Sequence, residues 1–142
     1  MDFGNWLHEE QYISYLAIRR KDDPIPSGVF VENPFRLNPW DHEDSWYLFE
    51  ESTNEGHREG DVRRTENGFW KWSSIVTIPV ESAIGFKNVF EFYQGNPPAG
   101  TRTGWMMHQY RARLKFEGPS HLQENISLCR LFWHNDERVK TS

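Results

Sequence analysis

Hydrophobic positions recur with a helical period near the start of the chain. Three apolar side chains and one arginine stand at positions i, i+3, i+4 and i+7: Tyr12, Tyr15, Leu16 and Arg19. This spacing predicts a helix over residues 8–20, with the four side chains on one face. Glu9 and Glu10 fall in its first turn, where acids complement the helix dipole. Pro24 cannot continue a helix, so the helix ends before it.

From residue 45 onward the chain is rich in aromatic and β-branched residues, separated by loop signals such as the Pro- and Gly-rich stretch 95–100. This pattern is typical of β-strands. The predicted strands are residues 45–49, 68–72, 75–80, 89–93, 105–116 and 126–133. The fold class we predict is α+β and mainly β, with one N-terminal helix packed against a twisted antiparallel sheet of about five to seven strands.

Length and composition favour a single domain spanning residues 1–142. Seven Trp, ten Phe and five Tyr allow this short chain to bury a large apolar area. The single cysteine, Cys129, cannot form an internal disulfide, which favours a reducing compartment. No secretory signal is recognisable at the N-terminus, and no apolar run approaches the roughly 18 residues of a membrane span. We therefore expect an intracellular protein without a membrane partner.

The net charge of −5 is unevenly distributed. Residues 1–60 carry 13 acidic and 5 basic side chains, a net charge of −8, whereas residues 61–142 carry 11 basic and 8 acidic, a net charge of +3. Such asymmetry fits a domain that presents one basic surface to phosphate, and it equally fits an uneven surface without a function. Charge permits nucleic-acid binding but does not establish it.

The residue patterns that catalysis requires are missing from the sequence. The segment His8–Tyr12 starts like a zinc-peptidase helix but has Tyr12 where the second histidine must stand. Cys129, His108 and His134 lack the paired spacing of a zinc site. Glycine-rich phosphate loops and a nucleophile elbow are also missing. We therefore predict that the chain is not an enzyme and has no metal, cofactor or small-molecule substrate.

Six segments resemble, in order and approximate spacing, those of the plant NAC domain. Arg63–Lys71 is similar to the family's Arg-x-Thr-x-x-Gly-Tyr-Trp-Lys, and Trp105–Arg111 is similar to its Trp-Val-Met-His-Glu-Tyr-Arg. The block that ends at Arg111 begins with Ile84–Lys87 and continues through Phe92–Gly95. The other four segments are His8–Glu10 with Tyr15–Leu16, Asn38–Asp41, Ser45–Phe49 and Leu128–Phe132. Together they cover residues 8–133.

The resemblance implies a nuclear transcription factor domain that binds double-stranded DNA sequence-specifically, by pushing a sheet edge into the major groove. Arg63 matches the family's DNA-contacting arginine, and Arg64 stands beside it. The implied phosphate contacts and groove-entering positions are Lys71, Lys87 and Arg111, and Trp72, Ser73 and Ser74. Glu9 or Glu10 is implied as the acidic half of a dimer salt bridge, so a homodimer or a heterodimer with another NAC protein is a possible assembly.

The sequence departs from the family pattern in the segment expected to enter the groove. The family's Ala-Thr-Gly-x-Asp-Lys is replaced by residues 72–77, so a glycine and a lysine are lost and Trp72 replaces a small residue. The family's N-terminal strand with its arginine has no counterpart in residues 1–7. Two hypotheses follow: a DNA-binding domain, or a degenerate NAC domain that acts as a protein-interaction or dominant-negative module with weak DNA binding. Trp70 is expected in the core under both. Trp105 is expected to be buried, so that Trp105→Ala should unfold the domain.

Overall fold

The computed structural model describes residues 9–20, 22–42, 44–50, 61–115 and 125–134. Its helix, α1, spans Glu9–Ile18 and packs on the sheet through one face. The prediction of a helix is confirmed, but it ends at Ile18 rather than residue 20, and His8 lies outside the described residues. Beyond Ile18 the buried Arg19 side chain donates to the Tyr15 hydroxyl and to the Asp23 carbonyl, which ties the segment after the helix back to α1. No helix in the described part of the chain is long and apolar enough to cross a membrane.

Within the described residues, seven strands form one curled sheet in the order β1-β2-β7-β6-β5-β4-β3. The strands are β1 Val29–Val31, β2 Ser45–Glu50, β3 Val62–Arg64, β4 Gly68–Pro79, β5 Ala83–Gln94, β6 Thr101–Leu114 and β7 Ile126–Trp133. All neighbouring pairs are antiparallel except β1 and β2, which run parallel, so the sheet is mixed. The predicted class, a mainly β fold with an N-terminal helix, is confirmed.

Several predicted strand boundaries were wrong. The strands predicted at 68–72 and 75–80 are one strand, β4, which continues through a β-bulge between Trp72 and Ser74 and ends at Pro79. Strand β5 begins six residues earlier than predicted, and β6 begins at residue 101 and ends at 114. Residue 116, the predicted end of β6, lies outside the described residues. Strands β1 and β3 were not predicted, because three residues are too few to show an alternating pattern.

One side of the sheet, which we call the helix face, is covered by α1. Tyr12, Ile13 and Leu16 pack there against residues of several strands, including Leu48 and Leu128. Gly85 allows this close approach, since a Cβ at that position would overlap the Ile13 side chain. The helix is therefore held by apolar contacts to the centre of the sheet rather than by its own hydrogen bonds.

The opposite side, which we call the connector face, is covered by residues 33–41. Two short 3₁₀ turns, Pro34–Arg36 and Pro39–Asp41, carry Phe35 and Trp40 onto a second apolar cluster. Trp70 stands in this cluster with 0% of its surface exposed, as expected of a core residue. Trp105 packs against this cluster but is only partly buried and contacts Trp133 edge-on, so the prediction of a buried Trp105 was wrong in the degree of its burial.

Candidate nucleic-acid interface

The β3–β4 hairpin lies at one edge of the sheet and carries most of the predicted DNA-binding residues. Its turn is closed by hydrogen bonds from Thr65 N to the Gly68 carbonyl, at 2.8 Å, and from Gly68 N to the Thr65 hydroxyl, at 3.1 Å. Gly68 is required there because a Cβ would collide with the carbonyl oxygen of Tyr93. The Asn67 amide donates to Asn38 Oδ1 at 2.8 Å, so the turn is also tied to the connector.

Arg63 lies on β3, opposite Trp70, and its side chain reaches over the connector face. Its guanidinium carbon is 4.1 Å from the centroid of the Phe35 ring and 5.4 Å from that of Phe90. Contacts of this length are cation–π interactions, and they leave the side chain half-buried. Arg63 is thus a cation held on the connector face of the β3–β4 hairpin and not a fully exposed loop charge.

Arg64 and Lys71 point to the helix face from the two outermost strands, and both are exposed. The Lys71 ammonium is 5.8 Å from the centroid of the Tyr93 ring, which stacks on Phe69. Glu91 stands across from Lys71 on β5 and forms an ion pair with Arg102 at 2.8 Å. A carboxylate therefore accompanies the cations of this face.

The outer edge of β4 beyond the bulge has no partner strand among the described residues. Strand β3 pairs only with residues 69–71, and Trp72 N donates to the Asp61 carbonyl. Ser73 and Ser74 are exposed at this edge, and Ile75 and Val76 are 46% and 45% exposed. We call Ser73–Thr77 the β4 edge; all five residues are exposed and uncharged.

Trp72 itself turns away from this edge. Its side chain is partly buried against the connector-face cluster, and its Nε1 donates to Asn88 Oδ1 at 2.9 Å. Asn88 is buried, so this hydrogen bond satisfies a polar group inside the sheet. Of the three predicted groove-entering residues, Ser73 and Ser74 are thus presented at the edge, whereas the Trp72 ring is a packing residue.

Two predicted phosphate contacts, Arg111 and Lys87, are not brought to the edge. Arg111 lies on β6 in the connector face and is only 6% exposed. Lys87 lies on β5 in the helix face, and its ammonium is 3.0 Å from a carboxylate oxygen of Glu9. The structure therefore brings Arg63, Arg64 and Lys71 together with the β4 edge and leaves Lys87 and Arg111 apart from them.

Glu9 and Glu10, the predicted dimer residues, differ in their surroundings. Glu9 accepts hydrogen bonds from the Tyr110 hydroxyl, at 2.5 Å, and from Lys87. Burial alone would raise the pKa of Glu9, but the hydrogen bonds from Tyr110 and Lys87 and the charge of Lys87 hold it below its ordinary value. Glu10 is exposed on the first turn of α1.

Sequence reasoning missed two features of this surface. The first is the contact between Arg63 and the Phe35 ring of the connector. The two residues are 28 positions apart in the sequence, so no local pattern could predict their contact. The bulge at Ser73 was also missed, because a bulge is a property of strand pairing and needs the partner's register to be known.

Comparison with known proteins finds a match to the family model described as No apical meristem (NAM) protein over residues 7–112. NAC domain-containing protein 83 of Arabidopsis thaliana is 36% identical in an alignment 140 positions long, which covers 87% of this chain and 53% of that protein. NAC domain-containing protein 41 and NAC transcription factor 29 of the same plant are 33% and 30% identical, each over 87% of this chain and over 50% and 52% of their own length. The chain spans about half the length of these relatives.

Proposed function

This chain belongs to the NAC family, and from that premise we propose that it regulates transcription in the nucleus by binding double-stranded DNA. In this proposal the β4 edge enters the major groove, which is about 12 Å wide and admits a β-ribbon or a sheet edge. The observation that carries the proposal is an exposed strand edge with no partner in the described chain, flanked by Arg63, Arg64 and Lys71.

The three cations suit an edge-on approach because they project from both faces of the two outermost strands. Arg63 lies on the connector face, whereas Arg64 and Lys71 lie on the helix face. When a sheet edge enters a groove, each face turns toward one of the two phosphate backbones that border it. Cations on opposite faces can then neutralise phosphates on opposite strands.

The proposed binding is weak in base readout. The β4 edge offers two serine hydroxyls, one threonine hydroxyl and two apolar side chains, but no arginine or lysine that could contact guanine bidentately. Most of the affinity would come from phosphate contacts, which position a protein on DNA without specifying the sequence. We therefore expect steep salt dependence and modest sequence preference.

The test is to titrate a labelled duplex with the domain at several salt concentrations. Each phosphate contact contributes about −0.9 to the slope of log K against log[salt]. Lys71→Ala and Arg64→Ala should each reduce the magnitude of that slope by about 1. Arg20→Ala is the matched control, since it removes an exposed cation beyond α1 and should leave the slope unchanged. Wild-type protein that shows no salt-dependent binding would rule the proposal out.

For dimerisation we propose a NAC partner, identical or related, contacted through Glu10. Glu10 is the exposed acid of the first turn, whereas Glu9 is engaged with Tyr110 and Lys87 inside the chain. Reversing the charge with Glu10→Arg should lower the apparent mass in sedimentation if the acid pairs with a cation of the partner. Glu50→Arg, at an exposed acid of β2, serves as the control. Equal dimer fractions in both variants would remove Glu10 from the interface.

A second candidate function, a protein-interaction module, is favoured by the apolar character of the same edge. Ile75 and Val76 are exposed on a strand edge with no charged residue from Trp72 to Val80. Unpaired edges of this kind can accept an added strand from another protein. Two results together would support this function over DNA recognition. Ile75→Lys should abolish binding of a NAC partner or another regulator, and the wild-type chain should not bind duplex DNA.

A further inference from the structure

Phe35 lies at the centre of the contact between the connector and the β3–β4 hairpin. It is only 3% exposed, and its ring meets those of Phe49, Trp70 and Phe90 edge-on. The opposite side of this aromatic group is closed by the Arg63 guanidinium, 4.1 Å from the Phe35 centroid. A residue of the connector is therefore the nearest ring beneath the cation that the proposed function assigns to DNA.

We infer that Phe35 is a positioning residue for DNA recognition, which acts by fixing the Arg63 guanidinium on the connector face beside the β3–β4 hairpin. This inference rests on the proposed function. Arginine has many rotamers, and binding a phosphate or base with a mobile side chain loses affinity to the ordering of that side chain. A ring that holds the cation before DNA arrives removes part of this loss.

The geometry suits this role because a cation–π contact uses the face of the guanidinium. Its N–H donors lie in the plane of the group, so stacking does not consume them. Lysine would lose both the planar contact and the fixed fork of donors. Phe35 thus orients Arg63 without competing for the hydrogen bonds that recognition needs.

The connector is itself held against the hairpin at a second point. Three residues after Phe35, the Asn38 side chain accepts a hydrogen bond of 2.8 Å from Asn67 in the β3–β4 turn. Asn33 Oδ1 accepts from Phe35 N at 3.0 Å and fixes the start of the 3₁₀ turn that carries the ring. The Phe35 ring is therefore fixed relative to both strands of the hairpin.

The test is a double-mutant cycle between Phe35→Leu and Arg63→Ala. The readout is affinity for a labelled duplex selected by the wild-type chain from a random-sequence pool. Phe35→Leu keeps apolar volume but removes the ring, and should weaken binding about fivefold, as expected of a lost cation–π contact. In the Arg63→Ala background the same change should have no further effect. Phe35→Tyr, which keeps an aromatic face, should bind like wild type.

The matched control is Phe49→Leu, which removes a neighbouring ring of the same cluster that is not one of the two beneath Arg63. It should leave affinity unchanged although it lowers the melting temperature. If Phe35→Leu gives no cooperative melt, Phe35→Met takes its place in the cycle. Additive losses, or an equal loss from Phe49→Leu, overturn the inference and leave the proposed function standing. A wild-type chain that selects and binds no duplex overturns both.

Discussion

His108 shows how burial sets the chemistry of a single residue in this sheet. It lies on the helix face, with its ring 4.8 Å from that of Phe132. Burial lowers its pKa from 6.5 to about 4, and the nearby charge of Lys87 acts in the same direction. Glu9 opposes this shift, whereas Arg130 and His134 add to it. His108 is consequently neutral throughout the physiological pH range.

This shift predicts a pH dependence of stability. In the unfolded chain His108 takes up a proton near the ordinary pKa of 6.5, whereas in the folded chain it does so only near 4. The free energy of unfolding therefore decreases as pH falls between these two values. The full loss is about 3 kcal/mol, at 1.36 kcal/mol per unit. Urea denaturation at pH 7.5, 5.5 and 4.5 should show this decline, and His108→Gln should flatten it. A decline of the same size in the variant would mean that other groups cause it.

The basic side chains predicted to bind DNA differ in burial and pairing. Arg111 is buried and Lys87 is paired with Glu9, whereas Arg64 and Lys71 are exposed. A sequence reveals that each carries a charge but not which face of the sheet receives it, because a single bulge reverses the alternation of a strand. The resemblance implied DNA contact for all of these residues. Strand register and burial bring only some of them to the β3–β4 hairpin.

At the scale of elements, β4 is the unit from which the proposed function follows. The first half of β4 pairs with β3 and buries Phe69 and Trp70. After the bulge, the outer edge of its second half has no partner strand among the described residues. The sequence pattern predicted two separate strands, one on each side of Ser73 and Ser74, with the serines as the break between them. A bulge keeps the ladder with β5 continuous, and this pairing with a distant partner cannot be read from local composition.

A lysine placed on the β4 edge should strengthen DNA binding. Ile75→Lys adds a cation at a position that the proposal places inside the major groove, close to phosphates. Affinity for duplex DNA should therefore rise, and the slope of log K against log[salt] should steepen by about 1. Val31→Lys is the matched control, since Val31 is 67% exposed on β1 at the opposite edge of the sheet. Fluorescence anisotropy on one duplex measures both variants. Equal gains from the two would indicate a general charge effect rather than an edge in the groove.

At the scale of the whole molecule, two apolar clusters lie on opposite faces of a single sheet. The helix covers one and the connector covers the other. Composition predicted that this short chain could bury an aromatic core, and periodicity predicted the helix and the later strands. The connector's role was not predictable from pattern, because its Pro-rich sequence has no period and its contacts are distant in the chain.

The fully enclosed Trp70 should matter more to stability than the partly buried Trp105. Trp70→Ala removes the largest side chain with no exposed surface and should cost about 3–5 kcal/mol, a large share of a typical domain's stability. Trp105→Ala should cost clearly less, since part of that ring already contacts water. Thermal melts followed by near-ultraviolet circular dichroism compare the two. A larger loss from Trp105→Ala would contradict the packing described for the connector face.

Site-directed crosslinking tests most directly whether the β4 edge enters the major groove. Cys129 is buried, so Ser74→Cys supplies a unique exposed thiol that can carry a photoactivatable group. Val31→Cys places the same group at the opposite edge of the sheet. Illumination with bound duplex should crosslink the Ser74→Cys protein to base edges in the major groove and leave the Val31→Cys protein almost unlinked. Crosslinks that are equal, or that favour Val31→Cys, would contradict the proposed mode of binding.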